Sequence, residues 1–119
     1  MRPEAAFLRD IFVSASKIRR LTEGSSLEAL SRDDTAQAAL LYHLVIIGEA
    51  VNNLPGALLE RYPEVPWHAV VALRNRVIHG YFGIDWNLIW QAVTEHVPAL
   101  REIVARILWD EFGAMPPEV

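Results

Sequence analysis

The run Leu40-Leu41-Tyr42-His43-Leu44-Val45-Ile46-Ile47-Gly48-Glu49-Ala50-Val51 decides the fold class. Its β-branched residues would suit a strand. Yet Leu40, Leu44, Ile47, Val51 and Leu54 recur at steps of four and three, which is helix spacing and not strand alternation. Leu41, Tyr42, Val45 and Ile46 fill the flanks, so the helix is apolar on most faces and should be buried on most of them. It is expected at the centre of a bundle, or shared between the core and a dimer interface. Gly48 costs ~1 kcal/mol against alanine within a helix, and close backbone packing is its expected reason. Glu49 is the one carboxylate deep in the segment. It reads as a solvated or hydrogen-bonded residue at the helix edge, in preference to a direct catalytic group.

Helices are predicted on both sides of this run. Asp33 and Asp34 stand where an N-cap belongs, so the helix should run to about Asn53. Upstream, Phe7, Leu8, Ile11, Phe12, Ala15, Ile18 and Leu21 mark a helix over residues 2–22, with Gly24 as a left-handed closing residue. Ser25 or Ser26 caps a short turn anchored by Leu27 and Leu30. Downstream, Asn52 to Gly56 carries turn chemistry, and residues 57–62 form a short amphipathic piece. Residues 63–66 make a stiff connector, with Pro66 placed to start a helix over residues 67–78. That helix ends at Gly80. Asp85 caps the last long helix, and Pro98 should kink or divide it. The tail, residues 113–119, is expected to fray. The prediction is one all-α domain over residues 1–119, an antiparallel bundle of four to five helices.

At 119 residues the chain supports one core. Its 52% apolar content exceeds what that core needs, and a homodimer is the simplest way to bury the rest. With no cysteine, disulfides and thiolate metal sites are excluded. The N-terminus shows no signal-peptide core, and the weakly polar run over residues 35–48 is shorter than the ~20 residues of a membrane span. A cytoplasmic protein without membrane contact is expected. A net charge of −4 opposes broad nucleic-acid coating but leaves room for a local basic site.

Such a site is dense in Leu73-Arg74-Asn75-Arg76-Val77-Ile78-His79-Gly80-Tyr81-Phe82. At ~100° per residue, Asn75 and His79 share one face, while Arg74 and His79 stand about 140° apart. One straight helix does not bring those two together. Either the arginine swings round the loosened end at Gly80, or a two-fold dimer sets two copies of the stretch face to face. Histidine can move a proton from a ribose hydroxyl. Arginine can hold a phosphate. Asparagine can orient either group, and tyrosine adds a hydroxyl and a stacking face. Phosphodiester chemistry without a metal or cofactor is one reading. The other is structural: basic groups stabilise a helix C-terminus, His79 caps carbonyls and Tyr81 fills the core. Elsewhere, His43, His68 and His96 lack metal-ligand spacing. The four tryptophans read as core or dimer anchors, and Arg19, Arg20, Arg101 and Arg106 as solvated faces. No glycine-rich phosphate loop, nucleophile elbow or paired-carboxylate signature is present.

Arg74, four residues, His79, Gly80 and Tyr81 resemble the R-x4-H-x-Y motif of the HEPN ribonuclease superfamily. Asp33-Asp34-Thr35, Ile46-Ile47-Gly48-Glu49-Ala50, Pro66-Trp67, Arg74-Asn75, Ile84-Asp85 and Leu88-Ile89-Trp90 also resemble, in order, the landmarks of its HepT-like branch. The resemblance spans residues 5 to 108. It implies a dimeric HEPN bundle and a metal-independent endoribonuclease, the toxin of a type VII toxin–antitoxin pair. By it, Arg74 and His79 are catalytic, Asn75 and Tyr81 are active-site residues, and RNA is the substrate; Arg76 is expected to support the site through its charge. It also implies that an MntA-like minimal nucleotidyltransferase, the antitoxin, adds AMP to Tyr81. The alternative is a non-catalytic HEPN module that holds a nucleotide or a nucleotidyltransferase partner.

Overall fold

A computed structural model describes residues 3–119, apart from the side chain of Tyr81. Helix α1, Glu4–Thr22, buries Leu8, Ile11, Phe12, Ala15 and Ile18 along one face. The start expected at residue 2 lies outside the described residues. Gly24, at a φ of 70°, turns the chain, which only glycine does without steric cost. Helix α2, Leu27–Leu30, comes next, with the Ser26 hydroxyl accepting from the Ala29 amide at 3.0 Å. Helix α3, Asp34–Asn52, carries the opening run, and Asp33 caps it by accepting from the Ala36 amide at 3.0 Å. Helix α4 is Gly56–Glu60 and helix α5 is Trp67–His79. A 3-10 turn, Tyr81–Gly83, leads to helix α6, Trp86–Gln91.

Pro98 divides the last helix, as expected of a residue with no amide hydrogen. It occupies the first turn of α7, Val97–Phe112, and a π segment, Ala92–His96, joins α6 to it. Gly113, at a φ of 60°, ends α7. The fold is all-α. Among the described residues no helix is long and apolar enough to cross a membrane.

Helix α3 packs against α1 on one side and α5 on the other, and α7 completes the core against α1. Leu40, Leu44, Ile47 and Val51 are buried as the spacing predicts. Each such side chain contributes about 1.5–3 kcal/mol by leaving water. The flank is not fully covered, since Tyr42 is 62% exposed. Helix α5 stands off from α7 across an apolar hollow of about 280 Å³, bounded by Leu44, Ile47, Val70, Leu73, Val97 and Leu100. Its hold on the bundle comes from α3 and from its N-terminal end. There the buried Trp67 indole donates to the Tyr62 carbonyl at 3.0 Å. The Tyr62 hydroxyl in turn donates to Glu111 on α7 at 2.9 Å, beside an Arg61–Glu111 ion pair of 2.6 Å. Arg61, then Tyr62, holds the Glu111 carboxyl below its usual range.

Arg101 departs from the solvated face expected of it. Its guanidinium lies 4.4 Å over the Phe12 ring and donates to the buried Ser16 hydroxyl at 2.8 Å. A long aliphatic stem lets arginine cover apolar surface while its head finds an acceptor.

Gly48 is where α3 and α5 meet. A Cβ built there would overlap the Cβ of Arg74 and come within 2.7 Å of its Cγ. The Arg74 Cβ is fixed to the α5 backbone, so it cannot swing aside. Gly48→Ala should therefore destabilise the protein by about 1–3 kcal/mol through overpacking, despite the ~1 kcal/mol that alanine gains in helix propensity. Urea unfolding of the variant beside the native protein reads the sign directly.

Candidate active site

The last turn of α5 builds the site. Arg76 and His79 lie in that turn, where cations meet the negative end of the helix dipole. The Gly80 amide donates to the Arg76 carbonyl at 2.8 Å and closes the helix. Gly80 does so at a φ of −125°, so handedness is not what requires glycine here. Space is: a Cβ at position 80 would lie 2.9 Å from the Arg76 carbonyl oxygen. The chain then folds back through the 3-10 turn to Asp85. Its carboxylate accepts from the Asn87 and Leu88 amides at 3.0 and 3.4 Å and starts α6.

Between these two walls lies an open cleft of about 520 Å³. Asn75, Arg76 and His79 line it from α5, and Ile84, Asp85 and Leu88 from the opposite side. Asn75 and His79 share the face that their four-residue spacing predicts. Arg76 is exposed and makes no ion pair among the described residues.

Arg74 is placed differently. It does not line the cleft. Its guanidinium points towards α3, where Nη2 forms an ion pair with the Glu49 carboxylate. Nη1 donates to the Asn75 Oδ1 at 2.6 Å, and Nε is buried without a hydrogen-bond partner. The offset expected between Arg74 and His79 is therefore present within one chain. Asn75 is the residue common to both sides, since it accepts from Arg74 and also lines the cleft. The Tyr81 side chain lies outside the described residues, but its backbone opens the 3-10 turn two residues beyond His79. Among the described residues, no group of three or more His, Asp or Glu side chains is placed to hold a metal ion.

The sequence marks Glu49 as an edge residue and does not show its partner. The one signal is the glycine beside it, which marks where another helix comes close. Which side chain arrives there is a property of two helices and cannot be read from one.

A family model described as Ribonuclease HepT-like matches residues 11–107. The chain belongs to the HepT-like ribonuclease family. Relatives of this HepT-like protein carry matching names. A candidate RNase of Methanocaldococcus jannaschii is 40% identical over 108 residues, which cover 91% of this chain and 89% of its own. A protein of Thermococcus cleftensis named a probable ribonuclease HepT is 34% identical over 100 residues, covering 84% and 91%. A candidate RNase of Caldanaerobacter subterraneus is 32% identical over 111 residues, covering 93% and 99%. No solved structure matches the chain. Membership places this protein among ribonucleases, and hence among proteins that act on RNA.

The remaining histidines of this HepT-like protein lie apart from the cleft lining. His68 and His96 are exposed. His43 is half-buried on α3 and meets the Ser14 hydroxyl at 3.1 Å. Burial, and then the charge of Lys17, pushes its pKa below the ordinary value. The unfolded chain therefore takes up this proton at a higher pH than the folded one, and stability is lost as pH falls through about 6.5. His43→Gln should flatten that acid limb. Melting temperatures at pH 7.5 and 5.5 check it: the native protein should lose more between the two than the variant does.

Proposed function

We propose that this HepT-like protein is a metal-independent endoribonuclease with Arg74 and His79 as its catalytic pair. The observation that carries the reading is the single cleft face holding Asn75, Arg76 and His79 at the end of α5. Histidine supplies both proton transfers near neutral pH. One imidazole takes the proton of a ribose 2′-hydroxyl, and the 2′-oxygen attacks the adjacent phosphorus. The 5′-oxygen then leaves with a proton from an imidazolium. The products carry a 2′,3′-cyclic phosphate and a 5′-hydroxyl. Arginine offsets the charge that builds on the phosphoryl oxygens, where oriented donors contribute most.

Two imidazoles and a nearby Arg74 are easiest to supply from two chains. A homodimer about a two-fold axis would face one α5 terminus with the other. Tyr42 and Ile78, 62% and 44% exposed on α3 and α5, are apolar surface that such an association would bury.

The same reading makes the protein the cytoplasmic toxin of a type VII toxin–antitoxin pair. The Tyr81 hydroxyl would attack the α-phosphorus of ATP on a cognate minimal nucleotidyltransferase, releasing pyrophosphate and leaving a tyrosyl–AMP ester. Beside the cleft, that group adds negative charge and bulk where an RNA phosphate must sit. A second reading, a non-catalytic HEPN module that binds a nucleotide or the nucleotidyltransferase, is favoured by one observation. Arg74 is already paired with Glu49 and absent from the cleft lining.

His79→Ala should lower RNA cleavage by at least about 100-fold, while a chelator of divalent cations leaves the native rate unchanged. Survival of cleavage in the variant, or its loss on chelation, would overturn the assignment. Co-expression with a cognate minimal nucleotidyltransferase should add whole AMP units to the native protein and none to Tyr81→Phe. Intact mass measures this.

A further inference from the structure

The structure assigns Glu49 a role as the positioning residue of Arg74, an inference that rests on the ribonuclease reading above. Three constraints converge on one guanidinium. Gly48 lets the Arg74 stem press against the α3 backbone, with the Arg74 Cα only 3.6 Å from where a Cβ would be. Glu49, the next residue, takes Nη2. Asn75 takes Nη1 at 2.6 Å. A guanidinium carries five N–H groups, two on each Nη and one on Nε. Committing one on each Nη leaves one free on each. Those two N–H groups are what remains to donate to a phosphodiester oxygen. Arg74 Nε is buried and can make no contact with substrate in this arrangement.

The charges divide the work between two arginines. Glu49 offsets the charge of Arg74, whose side chain is only 21% exposed. Arg74 thus adds little net attraction for RNA but holds a fixed geometry. Arg76 is exposed and makes no ion pair among the described residues, so it supplies the attraction. A guanidinium oriented before substrate arrives has already lost the freedom that a loose one would lose in the transition state. Glu49 acts through Arg74 and touches no reacting atom. Glutamine at position 49 keeps an acceptor for Nη2 and loses only the charge. Alanine loses both.

The test is steady-state cleavage of an RNA oligonucleotide by the native protein, Glu49→Gln, Glu49→Ala and His79→Ala, with circular dichroism to confirm folding. Positioning predicts that Glu49→Ala lowers kcat by about 10- to 100-fold, while KM stays level or falls because the site becomes more positive. Glu49→Gln should recover most of kcat. A rise in kcat for Glu49→Ala would make the ion pair an inhibitory contact and overturn the proposal. So would a native kcat in that variant.

A second measurement does not depend on turnover. The Arg74 Nε–H signal in 15N-resolved NMR should be rigid in the native protein and Glu49→Gln, and mobile in Glu49→Ala. Equal rigidity in all three overturns the positioning role even if the protein cleaves no RNA. Cleavage by His79→Ala, or none by the native protein, instead overturns the ribonuclease assignment alone.

Discussion

Everything at the candidate site depends on how closely α3 and α5 approach each other. Interaxial distance is set by the side chains at the crossing, and here one of them is absent. Gly48 removes the Cβ that would have met the first two side-chain carbons of Arg74. The helix propensity lost at this glycine is small beside the geometry it permits. A wider crossing would move the Arg74 guanidinium away from Glu49, and Asn75 would lose the neighbour that orients its oxygen.

The rest of the bundle divides into a part that is held firmly and a part that is presented. Helices α1, α3 and α7 share the fully buried Leu8, Ile11, Ile47, Val104 and Leu108. Helix α5 contributes only Trp67 and Val77 to the buried set, and it leaves an apolar hollow between itself and α7. It is fastened at its start by Trp67 and by the Tyr62–Glu111 link. It is fastened mid-way at Gly48. Its last turn is then free to project Asn75, Arg76 and His79 into a cleft. A helix that presents one face to an open cleft cannot also bury that face, and α5 resolves the conflict by packing chiefly on one partner.

Most of the architecture is legible because it is local. The caps at Ser26, Asp33 and Asp85 arise from short polar side chains placed before apolar runs, and each accepts the amide expected of it. The break at Pro98 arises from a missing hydrogen. Even the separation of Arg74 from His79 is a consequence of residue spacing on a single helix. The hidden part is pairwise. Glu49 with Arg74 spans 25 positions, and Arg101 with Ser16 spans 85. Nothing within either helix announces its partner. Charge alone sends Arg101 to solvent, because it does not show whether an aromatic ring and a buried hydroxyl lie within reach.

The π segment gives this fold a degree of freedom that a plain helix lacks. Single wide turns of this kind interrupt the regular α-helical repeat and re-aim the helix beyond them. Upstream of it, α6 forms the far wall of the cleft with Asp85 and Leu88. Downstream, α7 is locked into the core by Leu100, Val104 and Ile107. The two stretches follow one another without a loop, joined through the π segment. Val93 of this segment is itself fully buried in the core, so the exposed Thr94, Glu95 and His96 are where a change can turn the wall that faces His79 while the core keeps its hold.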